Sequence, residues 1–348
     1  MKTFGVGIVG AGVIGNLHAR ALKEVERARL VATAEPREGA GRQLADEYGA
    51  DWHPDLAELL DRDDVDVVIL GTPSGMHADH AVQAAQAGKH VISEKPMAVT
   101  REGADRMIAA SRDAGVHLAV IFQNRYTRDA IRLKRAADAG LFGKLVLGNA
   151  LVHWRRTQEY YDANGGWRGT WALDGGGALI NQSIHTIDLL QWVMGPVESL
   201  AAYTTTLNHD IEAEDTASVA LRFQSGALGA IQGATSTHMD HPIRLEIRGT
   251  EGSATLEGST LTDWNPTSDE EVLTEEDLRV VEHGGDTYGD THPRQLRLIF
   301  EALAEDRQPP VSGEEARKAL EIILGIYRSA NTCERVVFPA PALSTAAR

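Results

Sequence analysis

FGVGIVGAGVIG, residues 4–15, is the stretch of sequence that decides the fold of this chain. Its first part, Phe4–Val9, is apolar or glycine throughout and predicts a buried strand. The spacing G-x-G-x-x-G follows at once, formed by Gly10, Gly12 and Gly15. In such a turn the first glycine permits a tight bend, the second lets a pyrophosphate approach the backbone, and the third lets helix and strand pack. The stretch therefore predicts a dinucleotide-binding turn between a strand and a helix.

The predicted helix starts at Val13 and Ile14. We expect this N-terminal end of the helix to face the bound phosphates. Glu35 supplies a second signal, because it stands twenty residues after the last glycine of the turn and ends the predicted strand Leu30–Ala34. A carboxylate there accepts hydrogen bonds from the adenosine ribose and repels a 2′-phosphate, which favours NAD over NADP. Arg37 could pair with that phosphate, so NADP stays open. The alternative reading is a structural turn with a solvated glutamate.

The first third of the chain repeats this alternation of strand and helix. Further strands are predicted at Val65–Leu70, His90–Ser93 and Leu118–Ile121. Helices are predicted at Val13–Val25, Gly41–Tyr48, Asp55–Leu60, His77–Ala87 and Thr100–Ala114. Right-handed crossovers would join all these strands into one doubly wound parallel sheet, the α/β Rossmann arrangement.

Beyond Asn124 the pattern is typical of an α+β domain. Helices are predicted at Asp129–Ala139, Ala178–Met194, Pro293–Glu305 and Gly313–Ser329. Strands are predicted at Leu145–His153, Val197–Leu207, Asp215–Phe223, Leu228–Thr237 and Ile243–Gly249. Their short Ser/Gly turns indicate a mostly antiparallel sheet, and the acidic segment 263–290 indicates a surface loop. We therefore expect a NAD(P)-binding Rossmann domain at residues 1–123 and a substrate-binding domain at residues 124–348.

Composition limits the classes of partner. A chain of 348 residues with 43% hydrophobic content is longer than one core usually serves. Its 50 acidic and 34 basic residues give a net charge of −16, which repels phosphate backbones and anionic lipids. We expect no nucleic-acid partner and no membrane partner. Cys333 is the only cysteine, and the N-terminus lacks the features of a secretory signal, so a cytoplasmic location is expected.

Two side chains are candidates for proton transfer. Lys95 follows the predicted strand His90–Ser93 and so lies at the carboxyl end of the sheet, where open α/β folds bind ligands. Its ammonium group could stabilise an alkoxide and exchange its proton. His185 has an imidazole suited to a proton shuttle, and the predicted helix places it on one face with Asn181 and Asp188. The alternatives are a surface lysine and a buried histidine that is hydrogen-bonded to Asp188.

Metal binding is not expected. The pairs His77/His80 and His238/His241 could each offer two imidazoles, but neither has a third and fourth ligand in a coherent frame. The hydride chemistry that the cofactor site indicates needs no metal.

Together these residues resemble the Gfo/Idh/MocA family, the relatives of glucose-fructose oxidoreductase and inositol dehydrogenase. The resemblance is carried by Gly10 to Gly15, Glu35, Thr72-Pro73 with His77, Glu94-Lys95-Pro96, Asn124-Arg125-Tyr126, Trp167-Arg168, and Gly175-Gly176-Gly177 through His185 and Asp188. It implies hydride transfer between a nicotinamide cofactor and a secondary hydroxyl of a sugar, polyol or related compound. It also implies that the second sheet is open and forms the contact of a homodimer or homotetramer.

The resemblance also assigns roles. Residues corresponding to Lys95 and His185 carry proton transfer and substrate positioning in the family. The loops beside the nicotinamide correspond to Thr72, Pro73, His77 and Glu94, and the segment that approaches cofactor and substrate corresponds to Trp167 and Arg168. Asn181 departs from the aspartate of many members, because its amide can bind hydroxyl groups but cannot take a proton.

An aromatic and basic segment is predicted to line the substrate pocket. Its candidates are Arg155, Tyr160, Trp167 and Arg168, with Arg125 and Tyr126 at the exit from the Rossmann unit. Aromatic faces stack on sugar rings, and arginines meet hydroxyl or carboxylate groups. Aromatic packing at a domain junction accounts for the same residues equally well.

Two other functions stay open. One is a glycoside hydrolase that uses tightly held NAD for transient oxidation, and the other is a non-catalytic sensor that keeps the nucleotide site. The fold serves many sugars and polyols through changes in its loops, so the sequence leaves the substrate undecided.

Overall fold

A computed structural model describes residues 2–268, 271–281 and 289–339 of the chain. The N-terminal sheet consists of β1 (Phe4–Val9), β2 (Ala28–Ala34), β3 (Asp51–His53), β4 (Val67–Leu70), β5 (His90–Ser93) and β6 (Leu118–Val120). The strands are all parallel and lie in the order β3-β2-β1-β4-β5-β6. The predicted doubly wound parallel sheet is therefore confirmed. β1 sits where the strand order reverses, which is where ligands bind in folds of this kind.

The helices of this unit are α1 (Val13–Leu22), α2 (Glu38–Tyr48), α3 (Leu56–Leu60), α4 (His77–Gln86) and α5 (Arg101–Asp113). Thr100 is the N-cap of α5, and its hydroxyl accepts a hydrogen bond from Gly103 N at 3.0 Å. No side chain caps α1, whose N-cap residue is Gly12. The first amides of α1 thus remain available to a ligand.

The second sheet consists of β7 (Leu145–His153), β8 (Val197–Thr205), β9 (Thr216–Phe223), β10 (Leu228–Ala234), β11 (Arg244–Gly249), β12 (Ser253–Glu257), β13 (Thr260–Asn265) and β14 (Val336–Val337). The order is β13-β12-β11-β7-β10-β9-β8-β14. β7 and β10 pair in parallel, and the other neighbours are antiparallel. This confirms the predicted mostly antiparallel sheet.

The remaining α-helices are α6 (Arg128–Asp138), α7 (Gln158–Gly166), α8 (Ile184–Met194), α9 (Glu275–Val281), α10 (His292–Ala304) and α11 (Gly313–Thr332). The single helix predicted from Ala178 is divided, because Ala178–Ser183 forms a π-helix before α8. Ser183 Oγ donates to Ala178 O at 2.7 Å and bridges this wider turn. The widening changes which side chains share a face of the helix.

The acidic segment 263–290 is more structured than a surface loop, so that prediction is corrected. β13 extends into it and α9 lies within it, while residues 269–270 and 282–288 lie outside the described part of the chain. One acidic residue of the segment joins two helices, because the Asp277 carboxylate on α9 accepts hydrogen bonds of 2.9 and 2.8 Å from Arg135 on α6.

α10 returns from the C-terminal part of the chain to the first sheet. Its Leu296, Ile299 and Phe300 are buried in one apolar cluster with Phe4 and Ile8 of β1. The division into residues 1–123 and 124–348 stays a prediction.

One face of the second sheet is open. Residues along β9 alternate between buried and exposed, which is typical of a strand with one solvated face. Tyr203 on β8 is 83% exposed and Leu228 on β10 is 51% exposed. None of the helices described combines the length and apolar character that crossing a membrane requires.

Candidate active site

A cavity of about 1970 Å³ opens at the carboxyl ends of β1, β2, β4 and β5. Its wall continues to the segment between β7 and the π-helix. A site for a single small ligand typically has roughly 300–1,000 Å³, so this cavity has room for a dinucleotide and a second ligand together.

The glycine turn forms the floor of the cavity. Gly10 has a φ of +99°, and a Cβ atom there would lie 2.7 Å from Gly71 O. A Cβ on Gly15 would lie 1.9 Å from Gly10 O, so only glycine allows α1 to approach β1. A Cβ on Gly12 would meet no atom within 4 Å, which leaves open space where a ligand could approach the backbone. Val13 and Ile14 line the same wall.

Glu35 is buried at the end of β2 and is held from two sides. Oε2 accepts from Ala11 N at 2.9 Å, and Oε1 accepts from Arg37 Nε at 2.7 Å. Burial raises the pKa of the Glu35 carboxyl, but the bonds from Arg37 and Ala11 outweigh it and hold the pKa below its ordinary value. Glu35 is therefore an anion on the cavity wall, and Arg37 is paired with it.

The loops after β4 and β5 are joined by a buried imidazole. His77 lies with Nε2 at 2.9 Å from Thr72 O and Nδ1 at 2.8 Å from Pro96 O. Burial lowers the pKa of His77. Thr72 and Pro73 line the cavity, and His77 acts here by fixing the two loops relative to each other.

Glu94 belongs to a buried cluster with two histidines. Its Oε1 lies 2.7 Å from His18 Nε2 and 3.8 Å from His292 Nε2, and its Oε2 accepts from Lys95 N at 3.1 Å. Burial acts to raise the pKa of Glu94, but the two histidines hold it well below its ordinary value. The ligand atoms of these three side chains all lie within 4.8 Å of one another. The sequence did not reveal this cluster, because its members come from α1, the end of β5 and α10.

Lys95 reaches across the cavity to the opposite wall. Its Nζ donates to the main-chain oxygen of Asn181 at 2.8 Å. Burial lowers the pKa of Lys95, and the negative charges of Glu94 and Asp174 act in the opposite direction. The amine is therefore easier to deprotonate than an exposed lysine.

His185 lines the same cavity as Lys95. Its ring packs edge-on against Phe122, and its Nδ1 is buried with no hydrogen-bond partner among the described residues. Burial first, and the charge of Lys95 second, lower its pKa well below the ordinary value. The predicted neighbour Asp188 does not contact it, because the Asp188 carboxylate binds Arg125 instead.

Asn181 is fixed by residues that the sequence did not single out. Its Nδ2 donates to Asp174 Oδ1 at 2.6 Å, and its Oδ1 accepts from Gln182 Nε2 at 2.9 Å. Asp174 is buried and also accepts from Gly169 N at 2.9 Å. An acidic residue directly before the glycine triplet was the available signal.

The aromatic segment forms the far end of the cavity. Tyr160 OH accepts from Gln182 Nε2 at 2.7 Å, and the guanidinium of Arg168 lies over the rings of Tyr160 and Trp167 at 4.7 and 4.8 Å. Arg156 Nη2 donates to Gln182 Oε1 at 2.9 Å. Arg155 is exposed and does not line this cavity, and its contact with the substrate stays a prediction.

Arg125 and Tyr126 also lie outside this cavity, which corrects their assignment to the substrate. Arg125 is engaged with Asp188 on α8 and with Glu315 on α11. Tyr126 is buried in the main apolar cluster. Both residues therefore hold elements together, and neither is available to a ligand in the cavity.

The glycine turn, the anion at the end of β2 and the second sheet define a class, the NAD-binding oxidoreductases with a Rossmann unit. Residues 4–122 match the oxidoreductase family with an NAD-binding Rossmann fold, and residues 130–255 match the GFO/IDH/MocA C-terminal domain. The chain belongs to the GFO/IDH/MocA family, as its sequence indicated.

Individual relatives agree with this. The chain is 29% identical to the myo-inositol 2-dehydrogenase of Thermotoga maritima over 90% of this chain and 92% of the relative. It is 30% identical to the scyllo-inositol 2-dehydrogenase (NAD(+)) of Bacillus subtilis over 71% of each. Among solved structures, the WlbA dehydrogenase of Bordetella pertussis in complex with NADH and UDP-GlcNAcA has 36% identity and a TM-score of 0.90. That match covers 97% of this chain and 99% of WlbA.

Proposed function

We propose that this protein oxidises a secondary hydroxyl of a sugar or polyol derivative with NAD+, and that Lys95 and His185 act on the hydroxyl proton. The observation that supports the proposal is the cavity itself. It runs without interruption from the glycine turn past Lys95 and His185 to the aromatic segment. A dinucleotide and a hydroxyl-bearing ligand could therefore meet beside these two side chains.

The residues around the glycine turn fit NAD. The uncapped N-terminus of α1 and the open space at Gly12 suit a pyrophosphate, and the Glu35 carboxylate suits ribose hydroxyls. Thr72, Pro73 and Glu94 would lie on the nicotinamide side. When bound, NAD+ supplies a hydride acceptor at its nicotinamide C4. NAD is preferred to NADP in this proposal, because the buried anion at position 35 repels a 2′-phosphate.

The electrostatics favour Lys95 as the residue that holds the proton. A neutral Lys95 amine accepts the proton of the hydroxyl, and the ammonium so formed lies near the charges of Glu94 and Asp174. A protonated His185 would instead lie beside a second cation in a buried site. Neutral His185 is suited to hydrogen-bond the reacting oxygen and to orient it.

An anionic sugar derivative is the substrate class that we favour. Arg168 lines the cavity and has no ion-pair partner among the described residues. Arg156 also lines the cavity, where its guanidinium donates to Arg155 O at 2.8 Å and to Gln182 Oε1 at 2.9 Å. Two arginines beside aromatic rings suit a sugar that carries a carboxylate or phosphate. WlbA, at 36% identity, binds such a compound, UDP-GlcNAcA.

The test is a panel of UDP-GlcNAcA, myo-inositol and scyllo-inositol with NAD+, followed by the absorbance of NADH. Net NADH with UDP-GlcNAcA supports the proposal in full, and NADH with an inositol keeps the dehydrogenase and removes the anionic substrate. A protein that cleaves glycosides without net NADH is instead the hydrolase. A protein that binds NADH and turns over neither glycosides nor panel compounds is the sensor.

The open face of the second sheet is proposed as the contact of a homodimer or homotetramer. Exposed Tyr203 and Leu228 on this face are the apolar side chains that a partner would cover. Light scattering of the wild type and of Tyr203→Asp tests this, since a charge in the contact should lower the mass toward that of one chain. The cytoplasmic location stays a prediction.

A further inference from the structure

Asp174 lies beside the cavity, and the proposed reaction uses it only as a charge near Lys95. It is buried, and its two carboxylate oxygens accept from neutral donors, the Gly169 amide and the Asn181 side chain. Its charge has no cation bonded directly to it among the described residues. A buried carboxylate interacts strongly with a neighbouring charged group, because the dielectric constant of the protein interior is low.

Asn181 connects Asp174 to Lys95. The main-chain oxygen of Asn181 accepts from Lys95 Nζ at 2.8 Å, while its Nδ2 donates to Asp174 at 2.6 Å. The other end of the amide accepts from Gln182, so the orientation of Asn181 is determined on both sides. Asp174 thereby helps to fix Asn181, the residue whose main-chain oxygen accepts the hydrogen bond from Lys95.

The charges around Asp174 also indicate that it acts on Lys95. Burial raises the pKa of Asp174 to about 6, so the carboxyl group is mostly ionised at neutral pH. The groups that face it are Lys95, Arg168, Tyr160, Tyr161 and Tyr327. Among the anions near Lys95, Glu94 is already bonded to His18. Asp174 is therefore a second carboxylate, after Glu94, whose charge favours the ammonium form of Lys95.

We propose that Asp174 is a positioning residue for Lys95, which holds the lysine through Asn181 and stabilises its ammonium form by charge. The inference rests on the proposed function for its meaning in turnover. Its physical content is the coupling between a carboxylate and an amine, which is measurable without substrate.

The experiment measures the protonation of Lys95 by pulse labelling with acetic anhydride across pH, with the labelled fraction of Lys95 read by mass spectrometry. In Asp174→Asn the midpoint should fall by about one pH unit, since the ammonium loses a nearby negative charge. The matched control is Asp210→Asn, an exposed aspartate of the same part of the chain, and it should leave the midpoint unchanged. An unchanged midpoint in Asp174→Asn overturns the inference.

A swap of the two side chains sharpens the test. The double variant Asp174→Asn with Asn181→Asp exchanges carboxylate and amide across the same hydrogen bond and restores one negative charge near Lys95. Its midpoint should return toward that of the wild type, and a midpoint that stays at the Asp174→Asn value contradicts a role for charge. If Asp174→Asn does not fold, Asn181→Asp carries the test, because a second carboxylate should raise the midpoint and an unchanged one overturns the inference.

Turnover separates this inference from the proposed function. In the wild type kcat/KM should rise with pH as Lys95 loses its proton, and in Asp174→Asn this rise should move to lower pH while KM for NAD+ changes little. A midpoint shift in a protein that oxidises no panel compound supports the coupling and rejects the dehydrogenase. Normal oxidation with no midpoint shift and no movement of the pH profile rejects the coupling alone.

Discussion

The guanidinium of Arg125 donates two hydrogen bonds of 2.6 Å to the carboxylate of Asp188, from Nε to Oδ2 and from Nη2 to Oδ1. The two side chains are 5% and 1% exposed, and Glu315 adds a further contact at 3.1 Å. Trp192 packs its ring 5.1 Å from the guanidinium. The pair joins the exit of the parallel sheet to α8 and, through Glu315, to α11, so it fixes the wall that carries His185.

Arg125→Ala should therefore reduce stability and leave substrate affinity nearly unchanged. Removal of one partner from a buried ion pair leaves an unpaired charge and typically costs about 3–5 kcal/mol. Urea unfolding of the variant measures this, with Arg128→Ala at an exposed position of α6 as the control. A stable Arg125→Ala protein with a raised KM for the sugar would return Arg125 to the substrate site.

The same pair marks the limit of what the sequence could predict. Phe4–Val9 and His90–Ser93 have the predicted bounds, because an apolar run at a strand position determines its own burial. Arg125 and Asp188 are 63 residues apart, and no periodicity indicates which way their side chains turn. The Asp188 carboxylate binds Arg125 rather than its expected neighbour His185, and Asp174 became part of the site only through a hydrogen bond formed in the folded chain. The local sequence pattern was therefore enough to predict the sheet and the glycine turn. The contacts that arrange the site join residues far apart in the chain and could not be predicted in this way.

Lys95→Ala should reduce kcat by roughly two or more orders of magnitude while NADH binding is largely kept, because a preorganised charge contributes several kcal/mol to the barrier. His185→Asn should reduce kcat less and should not move the pH dependence that belongs to Lys95. Steady-state kinetics and NADH fluorescence measure both effects. Lys144→Ala, at an exposed position, is the control. Near-normal turnover of Lys95→Ala would remove Lys95 from the reaction.

Glu35→Gln should shift the cofactor preference toward NADP. The substitution removes the anion that repels the 2′-phosphate and weakens the hold on Arg37, whose side chain is 63% exposed. The ratio of kcat/KM for NADP+ to that for NAD+ should rise about tenfold, which corresponds to about 1.4 kcal/mol. Glu35→Gln with Arg37→Ala should lose this gain. An unchanged ratio in Glu35→Gln would show that preference is determined elsewhere.

Glu214 should make the protein less stable as pH rises toward neutrality. The residue is buried behind the glycine triplet and accepts from Gly177 N at 3.1 Å, Leu179 N at 2.8 Å and Tyr327 OH at 3.1 Å. Burial raises its pKa to about 7, and these bonds only partly oppose the shift. The folded chain therefore holds the proton more tightly than the unfolded chain, whose glutamate titrates near 4.5.

The sign follows from this difference in proton binding. The stabilisation is complete below about pH 4.5 and is lost as pH rises through about 7, with a total of about 3 kcal/mol. Urea unfolding at about pH 5 and about pH 8 measures the loss, and Glu214→Gln should flatten it even if its stability is lower throughout. Asp174→Asn separates the contribution of Asp174, which has the same sign, and exposed Glu334→Gln is the control. An equal loss in wild type and Glu214→Gln would mean that Glu214 is ionised in the folded protein, held by its three donors.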